Sequence, residues 1–410
     1  MSEPGPLYAV SREHLEALSD GIGIFQHADG PVPNPVHGYC TDDVARALII
    51  DLLHAGVESG PVIAASVRRS IAFLEQAFDS VTGRFRNFLG ADGTWLEAVG
   101  SEDSHARAIE ALGETLARSP DLQVRATAGR LFVTGLAQTL NFSYVRPWAY
   151  VILGCDAVLR RTPWALARDV LERLATRLAD AFAAGADGTG GRAIGEWPWP
   201  ERIVTYDNGV LTQALIVAGR RLRRDGWVEL GLQSLRWLVA AQTDSDGHLA
   251  PIGNRGWWRE GGVPPRFDQQ PIEAVSLLEA ARAAYEATGD EGWAEVMERA
   301  YEWFLGNNDL RVFLAEPERG ACRDGLGPEG PSGNQGAEPT LAWLLSVERI
   351  RALRSAVTVA RPDEAPAATA GSAATAGPAH VVKPDQGPAV ARSGQRSGPA
   401  VEGRPPSGQS

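Results

Sequence analysis

The sequence predicts an all-α fold, an (α/α)6 toroid of six helical hairpins with small β-hairpins in the loops at one mouth. Three observations predict it. Polar stretches, most of them carrying carboxylates, begin near residues 41, 102, 146, 206, 268 and 334. Each opens onto an Ala/Leu-rich run with apolar residues at helical spacing. The intervals, roughly sixty residues with one shorter, each hold two helices and a loop, and six such pairs close into a ring. Inner helices of that ring bury nearly all their surface, while outer ones keep a wet face.

The elements follow in order. Residues 8 to 20 read as a short amphipathic helix and Gly21 to Tyr39 as a loop; Thr41-Asp42-Asp43 then opens a helix through Leu52. A helix at 61 to 78 precedes Thr82-Gly83 and Asp92-Gly93, which bracket a small hairpin over Arg84 to Phe88. Ser101 to His105 heads a helix through Leu112, and a further helix near 120 to 136 leads to Arg146-Pro147-Trp148 and an apolar helix to Leu159. A long helix near 163 to 184 is followed by Asp187-Gly188, the run Glu196 to Glu201, and Thr205 to Asn208 with its own helix. Residues 221 to 242 precede Asp246-Gly247 and the stretch Phe267 to Glu273, where Pro271 at a first helical position sacrifices no needed hydrogen bond. A helix near 289 to 305 and Arg323-Asp324-Gly325 come before Asn334 to Glu338, which opens the last helix.

The domain is expected to span residues 1–360. From 361 to 410 the chain holds eight prolines, seven glycines and no aromatic residue; such a tail buries too little apolar surface to offset its ordering entropy and is read as disordered. A net charge of -12 argues against nucleic acid or an anionic membrane as partner. Three scattered cysteines form neither a disulfide framework nor a metal series. With no signal-peptide pattern or membrane-length apolar run, the reading is a cytoplasmic protein.

Loops entering the inner helices are long and carry Trp, Gly and charge, so they should line one mouth, where loops on a rigid scaffold build sites. Inner-helix N-termini at that mouth favour negative side chains. Aromatic rings there can stack on sugar C–H faces, and two carboxyl groups can act as proton donor and base on a glycosidic bond. Asp268 and Glu273 are the candidates on one side, with Asp103, Asp207 and Glu338 opposite. Asp42, Asp43, Asp324, Gln269, Gln270, Asn334 and Gln335 are expected to bind substrate hydroxyls. Any one acid could instead be a helix cap or a salt-bridge partner, but six polar heads gathered at one end are harder to explain so. His105 could donate to a hydroxyl or act as a base; His37 could bind substrate or hold its loop, and Tyr39 lies beside it. Arg146 and Trp148 stand at one head, with Tyr206 at another. Trp197, Trp199, Trp257 and Trp258 are candidate sugar platforms, whereas Trp237, Trp293, Trp303 and Trp343 fall in helical patterns and read as core. No HExxH, Cys/His cluster or phosphate loop occurs, so no metal or cofactor is expected.

Taken together, His37 to Asp43, Glu102 to His105, Arg146 to Tyr150, Thr205 to Asn208, Phe267 to Glu273 and Asn334 to Glu338 resemble a bacterial family of (α/α)6-toroid domains. Its members stand alone or beside sugar-transferring domains and are often called glycosyltransferases. More broadly the layout is similar to six-hairpin glycosidases and sugar 2-epimerases. The resemblance, over about residues 20 to 350, implies a carbohydrate substrate. No βαβ succession of the kind that holds a nucleotide-sugar donor is present. The expected function is hydrolysis of a small oligosaccharide, with inversion slightly preferred. Epimerisation by histidine bases, phosphorolysis and glycan binding without catalysis are the alternatives.

Overall fold

The computed structural model describes residues 5–186 and 197–360, which belong to one compact unit, Met1–Pro362. Asp187-Gly188, Glu196 and the 361–410 tail lie outside the described residues. Six helices form an inner ring: α2 (Thr41–His54), α4 (Glu102–Arg118), α6 (Val145–Arg161), α8 (Gly209–Leu222), α10 (Pro271–Thr288) and α12 (Ala337–Ala360). Each packs on the next, and α12 closes on α2. Outside them lie α3 (Pro61–Ala77), α5 (Leu122–Thr139), α7 (Ala165–Ala186), α9 (Asp225–Ala241) and α11 (Glu291–Phe304), each against its preceding inner helix. The inner helices begin at the six polar heads, and the toroid is the fold.

Burial follows composition. On α10 nearly every residue from Pro271 to Ala284 is buried, and Gly289 ends the helix in the left-handed region that glycine enters freely. On α11 burial follows one face, Trp293, Val296, Met297, Ala300, Tyr301, Trp303 and Phe304, while Asp290 caps its N-terminus by accepting from Gly292 N. Inner-to-outer connections are short, such as 223–224 and 289–290, whereas 242–270 and 305–336 are long and meet at one mouth.

Two elements differ from the sequence reading. The helix expected over 8 to 20 is only α1 (Glu13–Ala17), which takes the sixth outer position against α12. Asp20 stops it: its carboxylate accepts from Ile22 N and Gly23 N at 2.7 and 3.0 Å, and the chain turns. The expected loop from 21 to 39 is a hairpin of β1 (Phe25–Asp29) and β2 (Val32–Cys40). Its prolines and Gly30 obscure the alternation, but Gly30, at φ 59°, makes the turn. The small hairpin expected over 84 to 88 is displaced: β3 (Phe78–Asp79) pairs with β4 (Arg84–Phe85), while β5 (Phe88–Leu89) joins β2.

The inner ring is held tight by glycines. A Cβ on Gly113 would lie 2.2 Å from the Gly154 carbonyl oxygen, where α4 crosses α6. Gly113→Ala should therefore cost about 1–3 kcal/mol or more despite the better helix propensity of alanine. Gly226→Ala, with nothing within 4 Å of the added carbon, should instead stabilise by about 0.5–1 kcal/mol. Denaturant midpoints of the two variants, moving in opposite directions, check the packing.

Candidate active site

At the mouth, three carboxyl groups gather around one arginine. Arg107, one turn into α4 and buried, places Nη2 2.7 Å from Asp207 Oδ2 and Nε 3.8 Å from Asp42 Oδ2. The Tyr150 hydroxyl donates to the same Asp207 oxygen at 2.6 Å, and its ring lies beneath the guanidinium, 4.1 Å from the ring centre to Cζ. Asp103, four residues before Arg107 and so on its face of α4, accepts from the Tyr206 hydroxyl. Their environments push these groups apart. Burial works against charge on Asp207, but Arg107 and the Ser276 and Tyr150 hydroxyls overcome it and hold the carboxyl below its ordinary range. Burial pushes Asp103 up; neighbouring Asp42 and Asp207 add to the rise and Arg107 opposes it. Asp42 Oδ1 is buried with no hydrogen-bond partner among the described residues, a costly arrangement unless a ligand or water fills it.

Glu273 acts beneath this cluster. Asp207 has φ 47°, an uncommon conformation for a residue with a side chain. The Glu273 carboxylate accepts from the backbone N–H of Asp207, from Asn208 N and, at 2.8 Å, from Asn208 Nδ2. Arg146 holds the same loop from the other side, through the Tyr206 carbonyl, Asn208 Oδ1 at 3.0 Å and Glu201 at 2.6 Å. Thus Glu273 and Arg146 fix the turn that presents Tyr206 and Asp207. Tyr206 is partly exposed, and its ring centre lies 6.4 Å from that of Trp257. The two rings stand together at the mouth as a candidate sugar platform.

A second charged group lies on the neighbouring wall. Arg46 joins Asp43 and Glu338, each at 2.8 Å. Asp324 accepts from Asn334 Nδ2 at 3.1 Å, while Asn334 Oδ1 accepts from Ala28 N; this pair ties the last loop to β1. Burial pushes Asp324 up, and Glu338 adds to it.

Several residues expected at the site stand elsewhere. Asp268 is on the entering loop, paired with Arg255 at 2.7 Å. Gln269 is fully buried; its amide donates to Asp309 at 2.6 Å and accepts from Trp303 Nε1 at 3.0 Å. Gln270 is the N-cap residue of α10 without a side-chain cap bond. Gln335 donates to Glu316, and its carbonyl meets His14 Nε2 at 2.7 Å. His105 is wholly buried between Phe85 and Phe142, accepting from Phe85 N and meeting the Gly135 carbonyl at 3.0 Å. Burial lowers it to about 3, so it is neutral and beyond reach of substrate. Trp197 and Trp199 are buried with Trp237, which stacks on Trp258 at 5.1 Å. A tryptophan core, rather than a sugar platform, is their place, because edge-on and stacked rings bury more area on one another than at the mouth. Trp148 donates to the Phe142 carbonyl at 2.8 Å. Tyr39 is buried, donating to Asp20 and stacking on Phe25; His37 is exposed on the hairpin beside His27.

Sequence reasoning passed over Arg107, Tyr150, Arg46 and Glu110. The signal was present. Asp103, Arg107, Glu110 and Glu114 recur at steps of three and four on a helix expected to be buried, which places a charged stripe on one face. Arg107, Glu110 and Glu114 of that face line a bore of about 590 Å³. Glu110 has no hydrogen bond or ion pair among the described residues, and burial pushes it up to about 8. Burial likewise lifts Asp43 and Glu273 to about 7. All three bind their proton more tightly folded than unfolded, so their contribution to stability is complete below the ordinary carboxylate range and is lost as pH rises through 7 to 8. Thermal midpoints should fall from about pH 5.5 to pH 8.5, and Glu110→Gln should flatten the upper part of that decline.

Among the described residues, Asp244, His248 and Asp309 form the one group with metal-ligand spacing. Arg266 already bridges the two aspartates, and Gln269 donates to Asp309. The need for positive charge there is met by the guanidinium. No helix of the described residues is long and apolar enough to cross a membrane.

No family model matches the sequence, and no curated protein matches it. Solved structures do. A sugar epimerase from a ruminal bacterium superposes with a TM-score of 0.65 at 13% identity, over 84% of this chain and 97% of that one. Cellobiose 2-epimerase from Spirochaeta thermophila gives 0.63 at 15%, over 84% and 93%. An α-1,6-mannanase from Salegentibacter gives 0.57 at 13%, over 83% and 97%. At such identities the likeness is one of architecture: this chain shares the (α/α)6 toroid of these sugar epimerases and glycosidases.

Proposed function

We propose that the protein is a carbohydrate-active enzyme that hydrolyses a glycosidic bond in a small mannose- or glucose-containing oligosaccharide in the cytoplasm. The observation that carries this reading is the set of three carboxyl groups, Asp42, Asp103 and Asp207, around Arg107 at the mouth. One cation cannot stabilise three neighbouring negative charges, so one carboxyl keeps its proton; pairs of acids pushed apart in this way divide acid and base roles. Asp103, lifted by burial and facing Tyr206, is the proton donor to the leaving oxygen. Asp42, whose Oδ1 is unpartnered, is the base that takes a proton from water. Asp207, clamped by Arg107 and Tyr150, is a fixed negative charge that favours the oxocarbenium-like transition state. Tyr206 and Trp257 receive the sugar ring. With water on the face opposite the leaving group, the anomeric configuration inverts.

The mannanase likeness supports this reading; a Salegentibacter mannanase described as inactive carries substitutions at two adjacent aspartates. The epimerase likeness invites another, proton removal by a histidine base. Among the described residues that route has no support in the bore. His14, His54, His105 and His248 are buried against other partners, and His27 and His37 stand on the β1–β2 hairpin.

The test is a panel of manno-, gluco- and galacto-oligosaccharides incubated with and without inorganic phosphate and resolved by reducing-end chromatography. Shorter sugars independent of phosphate are expected. Phosphate-dependent release of a sugar phosphate would assign phosphorolysis, and binding without turnover would assign a glycan-binding domain; either outcome sinks the hydrolase reading.

A further inference from the structure

Below the carboxyl cluster, the bore changes character twice. Its upper wall is the Arg107, Asp207 and Tyr150 network. Next comes an apolar belt that includes Ile49, Leu153, Val217, Val275, Leu341 and Leu345. Beyond the belt, at the C-terminal ends of the inner helices and so opposite the mouth, stand Arg160, Arg220, Arg221 and Arg223. Arg160 and Arg220 are 40% and 44% exposed, which opens this end to solvent.

We propose that this end of the bore is a second binding site, distinct from the carboxyl mouth, for a small amphiphile: an apolar chain or ring ending in one anionic group. The whole bore, upper wall included, holds about 590 Å³, within the range of small-molecule pockets, and apolar walls with a few placed polar groups are their usual lining. The belt removes the apolar part from water. The rim meets the anion.

Rim guanidinium groups are only partly used by the protein. Arg221 engages Asp156 through Nε at 2.6 Å, leaving both Nη groups without a partner among the described residues. Arg160 pairs with both Asp156, at 3.3 Å, and Glu114, and Arg220 meets Glu286 at 3.5 Å, so the unengaged donors of the rim are those of Arg221 and Arg223. Arg223, in the left-handed region at the end of α8, has no side-chain hydrogen bond or ion pair among the described residues. Part of this charge answers the negative ends of the inner helices, but a helix end does not require free Nη donors. Deeper in, Glu279 is held between Arg282 and Arg349. Glu110, lifted by burial, is neutral near pH 7 and does not repel an anion.

The probe is 1-anilinonaphthalene-8-sulfonate, an aromatic anion that fluoresces in apolar surroundings, titrated into the full-length folded protein. Saturable one-site binding is expected. Octanoate and octyl phosphate should both displace it, and their ratio tells carboxylate from phosphate preference. Octanol, of equal length and uncharged, should need at least tenfold more. The paired change of half-buried Arg221→Gln with exposed Arg223→Gln should weaken binding about tenfold, and Val217→Trp, which fills the belt, should abolish it. Circular dichroism and thermal midpoints show which variants are folded; should Val217→Trp not fold, the arginine pair still decides. Failure of the probe to saturate, equal displacement by octanol, or indifference to the arginine pair overturns the proposal.

Discussion

Asp103→Asn should lower turnover by about 10²–10⁴-fold, the usual contribution of a positioned proton donor, while leaving the fold intact. The amide keeps the shape and can still accept from Tyr206, but it has no proton to give. The pH profile sharpens the expectation. Burial raises Asp103 above its ordinary value, so the protonated form persists to higher pH than that of a free aspartic acid, and activity falls as pH rises through that raised value. Substrates with a good leaving group, such as nitrophenyl glycosides, need less help from the acid and should lose less rate in the variant. Equal losses on all substrates would mean that Asp103 binds rather than donates. The KM for oligosaccharide separates the two, staying nearly constant in the first case and rising in the second.

Removing the Arg107 side chain should be the most damaging single change to stability. Arg107→Ala strands Asp207 in a buried position beside Tyr150, with Asp42 nearby. Breaking a buried pair in this way costs about 3–5 kcal/mol, because an uncompensated charge remains. Adding Asp207→Asn should restore part of the loss, since the pair is then removed together. The sign of the pH dependence follows from the lowered Asp207. Its stabilisation is present above the ordinary carboxylate range and disappears as pH falls through its native value. In Arg107→Ala the buried carboxyl loses its main counter-charge, so the acid-side loss should shrink or vanish, and protonation of Asp207 should relieve part of the destabilisation as pH falls. Denaturant unfolding of the wild type, the single variant and the double variant, each at several pH values, measures both effects. A double variant as unstable as the single one would show that Arg107 holds the fold by packing rather than by charge.

The ring was legible because it rests on repetition. Six polar heads before six apolar runs are an arithmetic feature, and the inner helices begin where those heads stand. The short α1 and the β1–β2 hairpin were less legible, since one is stopped by the Asp20 turn and the other is interrupted by prolines. At the site, Asp42, Asp103, Tyr206 and Asp207 belong to the heads themselves and could be named from position alone. Arg107 and Tyr150 could not be named so easily. They lie further along their helices, and their meaning depends on which face turns inward. The entry to α10 misled for a related reason: Asp268, Gln269 and Glu273 form one sequence motif, but a helix start splits them. Asp268 goes outward to Arg255, Gln269 goes into the core against Trp303, and Glu273 goes under the Asp207 turn. A motif on a line becomes three different environments in space. The tryptophans show the same limit. Trp197 and Trp257 both sit in long loops by sequence, yet one is core and the other stands beside Tyr206.

The most direct test of glycosidic hydrolysis by the carboxyl cluster is proton NMR of an oligosaccharide turned over in deuterium oxide by the wild type and by Asp103→Asn. Hydrolysis predicts new reducing-end signals, first in the inverted configuration, with the C2 proton retained and the signals nearly absent for the variant. Deuterium at C2 of an unshortened sugar, undiminished in Asp103→Asn, would contradict the account and return the site to epimerisation.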